Sequence, residues 1–247
     1  MAFKDGDFVK IEYSAWRMAD GSLVYTTDEK KAQEADIFDK DTRYGPQLIV
    51  IGKGMIIKSL EDAIRGMSLN ETKKLELEPK DAFGERSQEL VRVMSIADFR
   101  KKEIEPYPGL RIDIDGVSAT VKSVNSGRVL VDANHPLAGE RVRYEIKIVS
   151  QVSSKEDKVK DFAEMYRLIP TKVEIDGNTA TLVFGNEIKK DANFLVNKSQ
   201  VVSSILAYME DVDKVIAKEE YEREKGKIEE EKKEEKSESK QSKESKE

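Results

Sequence analysis

The stretch GKGMIIKSLEDAIRGMSLNE, Gly52 to Glu71, decides how the chain is read. Gly52 and Gly54 close the apolar run Leu48-Ile49-Val50-Ile51, whose length and β-branched content are those of a buried strand. From Ile56 the period changes. Leu60, Ile64 and Met67 share one helical face, and Gly66 stands near its end. Downstream, Thr72 to Glu78 (TKKLELE) alternates like a half-buried strand until Pro79 stops it. Upstream, Asp7 to Tyr13 (DFVKIEY) alternates in the same way, Asp20-Gly21 marks a turn, and Leu23-Val24-Tyr25 follows it. Thr26 to Tyr44 is polar and charged and reads as an excursion or flap.

Beyond Pro79 the pattern becomes a β-meander. Glu89 to Met94 is strand-like, Ile96 to Lys102 has a short helical period, and three strands follow at Leu110 to Asp115, Ala119 to Val124 and Arg128 to Asp132. Arg141 to Val152 (RVRYEIKIVSQV) is one more long alternating strand, and residues 153–157 read as a linker. A third unit combines a helix over Val159 to Leu168, a hairpin of Lys172 to Ile175 with Thr179 to Phe184, a helix over Ser199 to Met209 and a strand at Val212 to Ile216. A unit of that size makes a modest core and is expected to pack on something, such as a second copy of itself. From Arg223 to Glu247 the chain is nearly all Glu, Lys and Ser and has almost nothing to bury, so it reads as a solvated tail.

Composition narrows the chemistry. The 247 residues contain no cysteine and one histidine, which excludes disulfides, a thiol nucleophile, Cys-based zinc sites and multi-His metal centres. Any serine triad could use only His135 as its base. With 43 Lys and Arg against 49 Asp and Glu, the net charge of −6 argues against a nucleic-acid backbone binder. The start, MAFKDGDFVK, has no apolar leader core, and no window approaches the ~18 apolar residues of a spanning helix. The expectation is a soluble, cytoplasmic protein without a membrane partner. Glu61/Asp62 and Glu229/Glu230 are neighbours that would not face each other on a helix, so they are not read as acid–base pairs.

Taken in order, Lys10 to Tyr13 with Asp20-Gly21, Gly52 to Glu71, PKDAFGE (Pro79 to Glu85) and VDANHPLAGERVRYEIKIV (Val131 to Val149) resemble the FKBP-type peptidyl-prolyl cis-trans isomerases. The last motif is similar to the return from the inserted domain of the SlyD-like branch, and the C-terminal unit is similar to the extra domain of long archaeal-type members. The resemblance covers roughly residues 5 to 152. It implies an α+β fold: an antiparallel sheet wrapped on a short helix (1–85 and 139–152), an inserted all-β insert-in-flap chaperone domain (86–138), a C-terminal α+β domain (158–222) and a charged tail (223–247). Some bacterial relatives end in a His-rich metal-binding tail. This one has no histidine, so neither metal nor cofactor is expected.

The implied chemistry needs no nucleophile. An X-Pro amide rotates over about 18–20 kcal/mol because resonance stiffens its C–N bond, and twisting leaves a less polar amide. An apolar, water-poor cavity therefore favours the twisted state. The resemblance places that cavity at Tyr13, Val24, Tyr25, Ile56, Ile57, Leu60 as floor, Phe83 and Tyr144, with the Ile57 N–H gripping a substrate carbonyl. Leu60, Tyr25 and Phe83 depart from the common Trp, Asp and Tyr, which implies a competent isomerase with weak macrolide binding. The alternative is a holdase chaperone with a weak or inactive isomerase domain. The implied partners are unfolded polypeptides and proline-containing peptides, with a homodimer through the C-terminal domain as a further expectation. His135 reads as a hinge residue bonded to backbone, with a contact at the pocket rim as the alternative, and Trp16 as hairpin or surface packing after the first strand.

Overall fold

A computed structural model describes residues 3–114 and 116–222, so the tail and Glu229/Glu230 lie outside the described residues. The chain divides into two compact units that part at Ser153.

In the first unit, β1 (Phe8–Arg17) is the spine of an antiparallel sheet. One edge pairs with β9 (Val142–Val152) over its whole length, from Phe8↔Val152 to Arg17↔Val142. The other edge is shared by β2 (Leu23–Thr26) and β3 (Gln47–Val50). On the far side of β9 lies β4 (Thr72–Leu77). The two-residue period of β9 puts Val142, Tyr144, Ile146 and Ile148 on the buried face, all at most 3% exposed. Against that face packs α2 (Lys58–Arg65), which buries Leu60 and Ile64, with Met67 just past its end. Each such side chain contributes about 1.5–3 kcal/mol by leaving water.

The strand read over Asp7 to Tyr13 runs on to Arg17, so Trp16 lies within β1. There it pairs with Leu23, and the Arg143 guanidinium stands 5.1 Å over its ring. The polar excursion after Thr26 also contains an unforeseen helix, α1 (Glu29–Glu34). The Asp28 carboxylate accepts from the N–H groups of Lys30 and Lys31 and caps it.

Between β4 and β9 the chain builds a second, four-stranded antiparallel sheet in the order β5-β8-β7-β6. Its strands are β5 (Val91–Ser95), β6 (Arg111–Ile114), β7 (Val117–Asn125) and β8 (Arg128–Asp132), with α3 (Ile96–Lys101) beside them. Phe99 of α3 meets Val121, Val129 and Val131 in a small core. The two connectors are zipped together. Ser87 N–H donates to Asn134 Oδ1 (2.8 Å), Asn134 Nδ2 donates to Ser87 C=O (2.9 Å), and Arg86 pairs with the buried Asp132. Burial pushes the Asp132 carboxyl up, but the Asn134 donors together with Arg86 and Lys122 outweigh it and hold it below the usual range. Leu137, expected in the inserted segment 86–138, packs in the core of the first sheet.

The second unit holds α4 (Lys155–Met165), the hairpin β10 (Lys172–Asp176) and β11 (Thr179–Phe184), α5 (Phe194–Tyr208) and β12 (Lys214–Glu219), which is parallel to β11. Residues 153–157 are no linker. Ser154 Oγ accepts from Asp157 N–H and caps α4, whose first turn carries Glu156 and Asp157. Likewise α5 begins at Phe194 rather than Ser199, and the last strand starts after Val212, which is buried ahead of it. Among the described residues no helix is long and apolar enough to cross a membrane.

Candidate active site

In the first unit a cavity of about 610 Å³ opens beside β1. All eight residues singled out from the sequence line it: Tyr13, Val24, Tyr25, Ile56, Ile57, Leu60, Phe83 and Tyr144. The pleat of β1 aims Tyr13 and Ala15 into the cavity, and the register sets Tyr144 of β9 opposite Ala15. Tyr13 stacks on Tyr25 at 5.0 Å between ring centroids and meets Tyr144 at 6.4 Å. Leu60, 2% exposed, closes the floor. Phe83 follows the turn at Pro79–Asp81, which Ser59 Oγ ties to α2 by donating to Asp81 C=O (2.7 Å).

Ile57 is the N-cap of α2, with φ −58° and ψ 142°. Its carbonyl accepts from the N–H groups of Leu60 and Glu61, and no acceptor among the described residues takes its own N–H. That donor stands at the wall of an apolar cavity. Burial, then the neighbouring phenols of Tyr25 and Tyr144, drive the Tyr13 hydroxyl far above the ordinary tyrosine range, and burial pushes Tyr144 up to about 12. Tyr13 and Tyr144 therefore keep their protons at any physiological pH.

Residues 1–100 match the family described as FKBP-type peptidyl-prolyl cis-trans isomerase, and residues 92–137 match the FKBP26 IF domain. Over 145 residues the chain is 31% identical to the short-type peptidyl-prolyl cis-trans isomerase of Methanocaldococcus jannaschii, covering 59% of this chain and 91% of that one. The chain belongs to the FKBP-type peptidyl-prolyl cis-trans isomerases. It is also 30% identical to the FKBP-type 16 kDa peptidyl-prolyl cis-trans isomerase of Escherichia coli K12 (42% of this chain, 72% of that one). Identity to the SlyD isomerase of Helicobacter pylori J99 is 28% (49% and 69%).

Three further features shape this cavity, of which those at Glu61 and Gln47 were not legible in the sequence. Glu61, which the sequence reading sets aside as no acid–base partner of Asp62, is buried, and its Oε1 accepts from Gly52 N–H (2.7 Å) and Gly54 N–H (3.3 Å). It thereby fixes the corner that carries Ile56 and Ile57. Gly52 turns there at φ +83°, where an added Cβ would fall 2.6 Å from Asp5 Cγ. Second, His135 lies flat on Phe83, with centroids 4.2 Å apart and planes within 2°, and lines the cavity with Leu137. Its Nδ1 accepts from Leu137 N–H (3.1 Å), so the backbone bond and the rim contact weighed as alternatives occur together. Burial lowers its pKa. Third, Gln47 stands behind the wall and bonds to both tyrosine hydroxyls. Its signal was masked by a place at the start of an apolar strand. Trp16 does not line the cavity.

Proposed function

We propose that this chain catalyses cis–trans isomerisation of X-Pro bonds in unfolded or partly folded polypeptides, and that its second sheet holds the client. The observation that carries the catalytic reading is one largely apolar cavity on which eight residues from distant parts of the chain converge, with an unengaged backbone donor at Ile57. Tyr13, Val24, Ile56, Leu60, Phe83 and Tyr144 seat the prolyl ring, and the Ile57 N–H takes a substrate carbonyl. Inside this water-poor bowl the planar amide loses the solvation that favours it, while the twisted amide loses less. A barrier lowered by about 6 kcal/mol corresponds to a factor of about 10⁴. The test is proline-limited refolding with a parallel short-peptide assay. Phe83→Ala, with a large side chain removed from the wall, is expected to lose most of the acceleration in both. An unchanged slow phase in that variant would remove the assignment.

The holding function is supported by an apolar groove of about 170 Å³ on the second sheet, lined by Leu90, Ile114, Val117, Ala119 and Val131, with Leu90 and Val117 exposed. Segments 86–138 are proposed as the insert-in-flap domain that captures extended chains by strand addition and apolar contact, raising the local concentration of X-Pro bonds near the cavity. The holdase reading shares this groove. Suppressed aggregation that survives Phe83→Ala while the peptide assay stays at background for the unaltered chain would favour it. The second unit is proposed to be the extra domain of long archaeal-type members and to pair with a second copy through α5, whose Leu195, Val196 and Leu206 face water. Sedimentation of the full chain against one ending at Val152 decides this, since each sedimenting at the mass of its own single chain rules the pair out. The cytoplasm is the proposed site of action, and a cysteine-free composition is compatible with its reducing conditions.

A further inference from the structure

At one end of the cavity Tyr13 and Tyr25 stack with their hydroxyls joined by the side chain of Gln47. Gln47 belongs to β3 and is held opposite Ile11 by the β1–β3 register, while the two tyrosines form the wall in front of it. Its Nε2 donates to the Tyr25 hydroxyl oxygen at 2.5 Å, and its Oε1 accepts from the Tyr13 hydroxyl at 3.4 Å. A phenol carries one proton to give and lone pairs to receive. The Tyr13 proton is shared between Gln47 Oε1 and the Tyr25 oxygen, and Tyr25 also receives at that oxygen from Gln47, so the Tyr25 proton is the one hydroxyl proton not used by these contacts. Donation by the amide to that oxygen polarises the O–H and makes it a better donor.

A prolyl peptide gives such a donor something to recognise. Proline has no N–H, so the polar handles of an X-Pro segment are its main-chain carbonyls. We propose that Tyr25 is a substrate-reading hydrogen-bond donor of this isomerase, holding a second main-chain carbonyl of the bound chain beside the one taken by Ile57 N–H, and that Gln47 and Tyr13 fix its orientation. The ligand class follows: an extended proline-containing segment that presents two carbonyls at once. Burial keeps the Tyr13 hydroxyl protonated and able to hold Gln47. The inference rests on the isomerase reading and assigns recognition within that site.

The experiment measures kcat and KM on one proline peptide, with urea midpoints, for the full chain, Tyr25→Phe, Gln47→Leu and the double variant. Tyr25→Phe is expected to raise KM roughly 3- to 10-fold with kcat within about twofold, the size of one neutral hydrogen bond. Gln47→Leu should produce part of that loss in the native background and less than about a twofold further change in the Tyr25→Phe background. An unchanged KM in Tyr25→Phe overturns the proposal, as does a Gln47→Leu loss of equal size in both backgrounds. A fall in kcat that tracks a fall in urea midpoint overturns it too, since that is the mark of a purely structural role. These outcomes leave the isomerase reading standing so long as the unaltered chain is active and Phe83→Ala is not. An inactive unaltered chain removes both.

Discussion

Glu61 holds two glycine amides with one carboxyl oxygen, one helical turn past Ile57 at the start of α2. Replacing it with alanine leaves both N–H groups without an acceptor, which is expected to lower unfolding stability by about 1–3 kcal/mol in urea titration. The same change loosens the Ile56-Ile57 corner, so kcat/KM should fall more than for an exposed control such as Asp62→Ala. The tyrosines set the alkaline behaviour. Tyr144 is pushed up to about 12 in the fold against an ordinary value near 10, so the folded form holds its proton where the unfolded form releases it. That contribution is complete below pH ~10 and is lost as pH rises through the folded value. Activity should therefore be flat from about pH 8 to 10, and urea midpoints should fall only above it. His135 has the opposite sign: its lowered pKa means the unfolded chain binds the proton first as pH falls below ~6.5. Midpoints measured from about pH 7 to 5 should decline, less steeply in His135→Asn. None of these three roles could be read from the residues themselves. Glu61 and Asp62 look alike in sequence, and only the fold buries one and leaves the other beside Arg65 in water.

Among the elements, the strands were the legible part, because alternation with a period of two marks a face whether or not its partner is known. Thus β9 and β4 were found nearly to the residue, whereas α1 was hidden in a polar stretch, because within the helix Ala32 alone is buried and Asp28 is its one capping signal. The beginning of α4 was missed for the same reason: its first turn is acidic and exposed, and a cap on Ser154 rather than burial sets its start. The corner between β3 and α2 yields a sharper test. Ile57 already has the φ of a proline and gives its N–H to nothing among the described residues. Ile57→Pro is therefore expected to keep the unfolding free energy from urea titration within about 0.5 kcal/mol of Ile57→Ala while losing about tenfold more kcat/KM, one charge-free donor to the substrate carbonyl being absent. Equal activity of the two variants would show that the backbone donor is idle.

For the molecule as a whole, the family resemblance gave the order of sheet, inserted sheet and return strand, but not where one ends and the next begins. Because His135 and Leu137 line the cavity, excising 86–138 would damage the pocket as well as remove the insert. The zipped pair Ser87 and Asn134 marks a better join. A chain with 88–133 replaced by a short Gly-Ser turn is expected to retain activity on a short proline peptide and to lose most of its effect on an unfolded protein. Equal losses in the two assays would contradict the division of labour.

The pairing of Phe8 with Val152 has a consequence in time. On a ribosome the first strand emerges long before its principal partner, and nothing can close the cavity until the return strand has been translated. The four strands between Val91 and Asp132 pair only among themselves and can fold as soon as they clear the exit tunnel. Each newborn molecule thus acquires the sheet proposed to hold clients first and the cavity between β1 and α2 later.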